Sequence, residues 1–189
     1  LNKFEGGFVF AAASTTLKFP VAKNPAAGGR TSATAKSGKT NAIDGPEWEV
    51  ALKLSNGDQE NVFGGVGMRK DAQVDYDAYD DFTLPRFQHY LELNHTKELH
   101  RTPYTKDIVP SEDNHTWEFV VESSLTGESQ LTWDNSYFGK NSKGMVLWDE
   151  EIQRAVDMRT VNGYRFEAPR NFKLIYGNEK YIKELDRKS

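Results

Sequence analysis

The dominant feature of this sequence is a period-two alternation of apolar and polar side chains, repeated along most of the chain. In Trp48-Glu49-Val50-Ala51-Leu52-Lys53-Leu54 the large apolar groups fall at every second position. That spacing places them on one face of an extended strand and on no single face of a helix. The turn residues Ser55-Asn56-Gly57-Asp58 follow directly, and Asn and Gly tolerate the positive φ that tight hairpins require. The same pattern recurs at Gly7–Phe10, Thr16–Phe19, Tyr90–Leu93, Trp117–Val121, Gln130–Trp133, Met145–Trp148, Tyr164–Phe166 and Phe172–Tyr176. Such spacing, with Gly, Asn, Asp or Pro between strands, predicts an all-β protein. Its expected form is an antiparallel β-sandwich, jelly-roll or immunoglobulin-like, built as one unit or as two packed sub-units.

Helical signal is thin. Asp149–Met158 reads as a turn, and Glu179–Lys188 as a short helix or a solvated tail. The expected organisation is a β-hairpin over 1–20 that continues an upstream domain, then a loop or linker over 21–46. A first sandwich part over 47–112, an immunoglobulin-like second part over 113–177 and a charged tail over 178–189 follow. The 21–46 stretch holds almost no large apolar side chain and cannot bury enough surface to offset its ordering entropy. A seam is expected near Val109-Pro110-Ser111-Glu112-Asp113. Phe172–Tyr176, taken as an edge strand, offers unpaired backbone groups to a neighbouring subunit.

Composition narrows the chemistry. The 189 residues contain no cysteine, which removes disulfides, thiolate metal sites, iron–sulfur ligation and a cysteine nucleophile. Lys and Arg number 24 against 28 Asp and Glu, for a net charge of −4. No basic block forms a polyanion footprint, so nucleic acid is not an expected partner. The apolar runs are too short to span a bilayer, and no membrane insertion is expected.

Ser37-Gly38-Lys39-Thr40 ends like a phosphate-binding loop but has Ala33 where that motif needs its first glycine. Gly64-Gly65-Val66-Gly67 has Lys70 at the third glycine of a dinucleotide fingerprint. Its glycines instead mark a bulge or a close backbone approach. His95 and His115, each inside Asn-His-Thr, read as exposed turn residues. Asn94 and Asn114 formally head glycosylation sequons. No nucleophile elbow or cross-cleft carboxylate pair is evident, and no catalytic residue is assigned.

The most informative local segment is acidic: Asp71, Asp75, Asp77, Asp80 and Asp81, five carboxylates within eleven residues. They repel one another unless they are solvated or bridged by a cation. Calcium, which takes many hard oxygen ligands in irregular geometry, is the natural candidate. The alternative is an exposed acidic turn with Tyr76 and Tyr79 packed on the sandwich. Tyr76, Tyr79 and Trp148 are the candidate ligand-binding aromatics, Trp148 because it stands at a strand end. Trp48, Trp117 and Trp133 alternate in phase with apolar neighbours and belong to the core pattern.

The order of several short motifs resembles a known region. These are Phe4-Glu5-Gly6-Gly7-Phe8-Val9-Phe10 with Thr15–Phe19, then Trp48–Leu54 with Val62–Gly67 and Asp75–Asp80. Trp117–Val121 and Leu131-Thr132-Trp133-Asp134 follow, and Val146–Arg159 with Tyr164–Phe166 and Arg170–Leu174 close the series. Together they resemble the C-terminal β-sandwich region of large secreted or cell-surface proteins of Bacteroidetes-type bacteria, exported by the type IX secretion system. In that family a separate sorting domain comes next, and the expectation is that this chain stops before it and continues from upstream domains of the same polypeptide. The resemblance implies an extracellular or cell-surface location and a non-catalytic structural or assembly role, with self-association or a surface glycan as partner. The alternatives are a calcium-assisted carbohydrate-binding module and an accessory domain of a secreted hydrolase.

Overall fold

The computed structural model describes residues 47–86, 88–96, 103–135 and 142–186. The expected 1–20 hairpin and 21–46 linker, with Ser37–Thr40, lie outside them. The described chain is almost wholly β. Its strands are β1 (Trp48–Asn56), β2 (Gln59–Arg69), β3 (Asp81–Phe82), β4 (Leu91–His95), β5 (Tyr104–Pro110), β6 (His115–Ser123), β7 (Glu128–Thr132), β8 (Gly144–Asp149), β9 (Arg154–Asp157), β10 (Gly163–Glu167) and β11 (Arg170–Gly177). One helix, α1 (Glu179–Asp186), follows. It is not long and apolar enough to cross a membrane.

All these strands belong to one hydrogen-bonded sheet. Its path runs β10-β7-β1-β2-β5-β4-β6-β11-β8-β9, with β3 paired onto β5. Two stacked sheets were expected; the structure instead has one sheet that curls into a half-barrel. The curl is visible in the core. Trp48 on β1 meets Trp117 on β6 edge-on at 5.8 Å and Tyr176 on β11 at 4.9 Å. Phe166 on β10 meets Phe172 on β11 at 5.0 Å. These strands are far apart along the sheet path, so only curling brings their apolar faces together.

The alternation of β1 is borne out: Trp48, Val50, Leu52 and Leu54 are buried while Glu49, Ala51 and Lys53 are exposed. Trp117 and Trp133 join Trp48 in the core. Residues 47–112 and 113–177 contribute to the same sheet, since β7 pairs with β1 and β4 pairs with β6. The segment read as a seam is the end of β5, where the Ser111 N–H donates to Arg69 O at 3.0 Å.

Four local expectations are corrected. The sheet is not fully antiparallel, because β2 and β5 run parallel from Gly65↔Lys106 to Arg69↔Pro110. Strand β11 is not an edge; β6 and β8 flank it on both sides. The stretch read as a turn, Asp149–Met158, holds β9. The histidine expected in an exposed turn, His95, is buried in β4, with Nε2 3.1 Å from Gly65 O.

In the segment read as a charged tail, Glu179–Asp186 forms α1. Asn178 caps it, its Oδ1 accepting from the Tyr181 N–H at 2.9 Å. Gly177 and Gly144 face each other across β11 and β8, and a Cβ on Gly144 would lie 2.6 Å from Ile182 Cδ1. The glycine pair makes a flat seat on which Tyr181 and Ile182 settle.

The two ends of the sheet path, β10 and β9, are consecutive in the chain, joined by residues 158–162. Trp133 fastens this connection by donating Nε1–H to Met158 O and Val161 O, both at 2.9 Å. Nearby, Asp149 is fully buried. One of its oxygens accepts from the Tyr164 hydroxyl at 2.9 Å, and the other accepts from the Glu151 N–H at 3.1 Å. Arg170 lies 3.7 Å away. This carboxylate therefore joins the end of β8 to β10 and orders the β8–β9 turn.

Replacing Leu174, which is fully buried, by Asp places an unpaired charge in the core and is expected to cost more than about 4 kcal/mol. Asp149→Ala orphans the Tyr164 hydroxyl and the Glu151 N–H and is expected to cost about 3 kcal/mol, whereas Tyr164→Phe, which takes one hydrogen bond from the carboxylate, costs about 2 kcal/mol. Urea unfolding of the three variants checks this order; equal midpoints for the two Asp149–Tyr164 variants would contradict it.

Candidate functional site

The acidic turn connects β2 to β3. Arg69, at the end of β2, lies over the Tyr79 ring at 4.2 Å and pairs with Asp71 at 3.3 Å. The Tyr79 hydroxyl also donates to Asp71. That hydrogen bond, with Arg69 beside it, holds the Asp71 carboxyl below its usual range. Asp77 closes the turn on both oxygens, accepting from the Gln73 and Tyr79 N–H groups at 2.7 Å each. Asp80 is buried; it accepts from the Ile108 N–H at 2.8 Å and the Asp77 N–H at 3.1 Å. Asp81 pairs with Lys106 at 2.7 Å, and Asp75 is exposed.

The clustered carboxylates thus have local tasks. Asp77 and Asp80 supply acceptors to backbone N–H groups that the turn leaves unpaired, as Asp side chains commonly do in loops. Among the described residues no three His, Asp or Glu side chains are grouped so as to hold a metal ion.

The candidate aromatics separate in the same way. Tyr76 stacks on Phe82 at 4.3 Å, and Phe82 stacks on Tyr104 at 5.2 Å. This column of rings covers the outer side of β5, and one face of Tyr76 is taken by it. The ring of Tyr79 carries Arg69. Trp148 was expected to be exposed at its strand end; it is buried, at 6% exposure, and presents no open stacking face. Asn94, the head of one sequon, is also buried.

A second feature lies where β2 and β4 come together. Opposite Leu52–Leu54, β2 has a bulge between Gly64 and Asn61, so two successive large apolar side chains, Val62 and Phe63, are half exposed. Asn61 pins the bulge, accepting from the Phe63 N–H at 3.0 Å and donating to Leu91 O at 2.8 Å. Gly64 follows because a Cβ there would lie 2.7 Å from Leu52 O. The glycine motif is therefore structural.

Glu92 and Glu122 face each other across β4 and β6, a like-charge pairing that is unfavourable alone. Arg86 bridges both carboxylates and lies over the Tyr90 ring at 4.4 Å. Asn94 donates to each carboxylate at 3.2 Å and accepts from the Thr83 hydroxyl at 2.6 Å. The segment 83–86 is thereby strapped over β4. Between this strap, the bulge and the start of β4 lies a cleft of ≈ 180 Å³, whose lining includes Phe63, Leu84, Tyr90, Gln59 and Thr105.

None of these cleft residues stood out in the sequence. The signal present was Val62-Phe63 before Gly64-Gly65, two apolar residues in succession where alternation should put one of them outside.

The chain matches no protein-family model, no curated protein and no solved structure.

Burial pushes the Tyr104 phenol above its ordinary 10.0, and nearby Asp80 and Asp75 add to the shift. Tyr164 and Tyr176 are raised as well, chiefly by burial. Because these folded-state values exceed those of the unfolded chain, the associated stability is intact below about pH 10 and is lost as the pH climbs further. Thermal melts followed by circular dichroism are expected to show the midpoint falling above pH 10, less steeply in Tyr104→Phe. A flat profile to pH 12 would contradict the assignment.

Proposed function

We propose that this chain is a non-catalytic structural or assembly module of an exported bacterial cell-surface protein. The observation that supports this reading best is the use made of its acidic groups. Asp77 and Asp80 hold a turn, Asp149 links β8 to β10, and Glu92 with Glu122 holds a strap through Arg86. Each of these groups positions backbone or a neighbouring side chain.

Self-association would use the sheet ends. Among the described residues, strand β9 pairs with β8 alone and β10 with β7 alone, and an edge strand can accept a strand from another chain. Two exposed apolar side chains lie beside them: Ile152 in the β8–β9 turn and Val161 in the β9–β10 connection. The exposed positions of β10 are Arg165 and Glu167, charges that limit indiscriminate pairing.

Light scattering and negative-stain imaging of the full chain, with calcium and with chelator, test the reading. Ordered assemblies are expected in both conditions, and Ile152→Lys with Val161→Lys is expected to dissolve them without lowering the melting temperature. A monomer in all conditions would overturn the assembly role; assembly lost only with chelator would return calcium to the acidic turn.

A further inference from the structure

The cleft beside the β2 bulge has one property that packing does not explain. Thr105 is 3% exposed and lines it, and its hydroxyl has no hydrogen-bond partner. A buried hydroxyl left unpaired is costly, so such groups mark places where something else completes the bonding.

The lining of the cleft also includes apolar side chains. Phe63 is 56% exposed, on a bulge that Asn61 ties to the Phe63 N–H and to Leu91 O of β4. Leu84 and Tyr90 extend the wall. The positive charge of Arg86 is already matched by Glu92 and Glu122, so the cleft offers no unbalanced cation to an anionic ligand. Gln59 and His89 add polar side chains that can both donate and accept. The volume, ≈ 180 Å³, falls below the roughly 300–1,000 Å³ of a pocket for a drug-sized ligand. It suits a single ring.

We propose that this cleft binds one unit of a neutral saccharide. The C–H face of a pyranose ring lies against Phe63, and a ring hydroxyl completes the hydrogen bonding of Thr105. Gln59 and His89 meet further hydroxyls at the rim. The site is separate from the acidic turn, needs no calcium, and stands whether the module is monomeric or assembled.

Amide-resolved NMR of the full chain, titrated separately with glucose, galactose, mannose and N-acetylglucosamine in chelator, tests the proposal. Saturable shifts at Phe63, Leu91 and Thr105 are expected with at least one sugar. Phe63→Ala and Thr105→Val are each expected to weaken binding by about tenfold. Phe63 is exposed and Thr105→Val nearly preserves shape, so dispersed spectra of both variants show that the fold is kept. No saturable shift with any of the four sugars would overturn the proposal. Shifts confined to the acidic turn, or binding unchanged in both variants, would do the same.

Discussion

The hydrogen bond between Tyr164 and Asp149 joins β10, one end of a long sheet, to β8, the neighbour of its other end. A sheet with so many strands either stays open, with exposed edges and one wet face, or curls until its apolar face closes on itself. This one curls. The aromatic contacts of Trp48 with Trp117 and of Phe166 with Phe172 supply the apolar attraction, but non-directional attraction does not set how far curling proceeds. A buried carboxylate adds direction, because one oxygen of Asp149 receives the Tyr164 hydroxyl only when β10 lies close to the end of β8. Arg170 and the ordered β8–β9 turn depend on the same group.

Much of this architecture was legible in the residues. Strands β1, β4, β6, β7, β8, β10 and β11 were read from alternation, most plainly β1, where one face meets the core and the other meets solvent. Strand β5 was not, and its burial explains why. Tyr104 and Ile108 on one side lie beneath the ring column and the acidic turn, while Thr105, Asp107 and Val109 on the other are buried too. Covered on both sides, Tyr-Thr-Lys-Asp-Ile-Val-Pro shows no alternation. The parallel pairing with β2 and the central place of β11 depend on strand order, which local pattern does not encode.

The two polar regions illustrate a related limit. The acidic turn was conspicuous because its charges are close in sequence; Asp77 and Asp80 bind backbone N–H groups there, while Asp71 and Asp81 pair with side chains. The cleft was invisible because its parts come from five separate segments: Gln59 to Phe63, Thr83 to Arg86, His89 to Glu92, Thr105 and Leu125. Sequence reading finds clustered charge readily. It has no means of seeing Glu92 opposite Glu122, or a hydroxyl stranded at the bottom of a gap.

Placing the sheet ends on consecutive strands has a mechanical consequence. The connection between β9 and β10 comprises residues 158–162, and a chain of that length spans at most about 17 Å when drawn straight. The margins of the half-barrel are therefore leashed. When thermal motion or a pull along the chain parts them, they swing like a door on a short strap, and Trp133, holding two carbonyls of that strap, resists the first movement. The same connection that limits how far the margins part also returns them to each other.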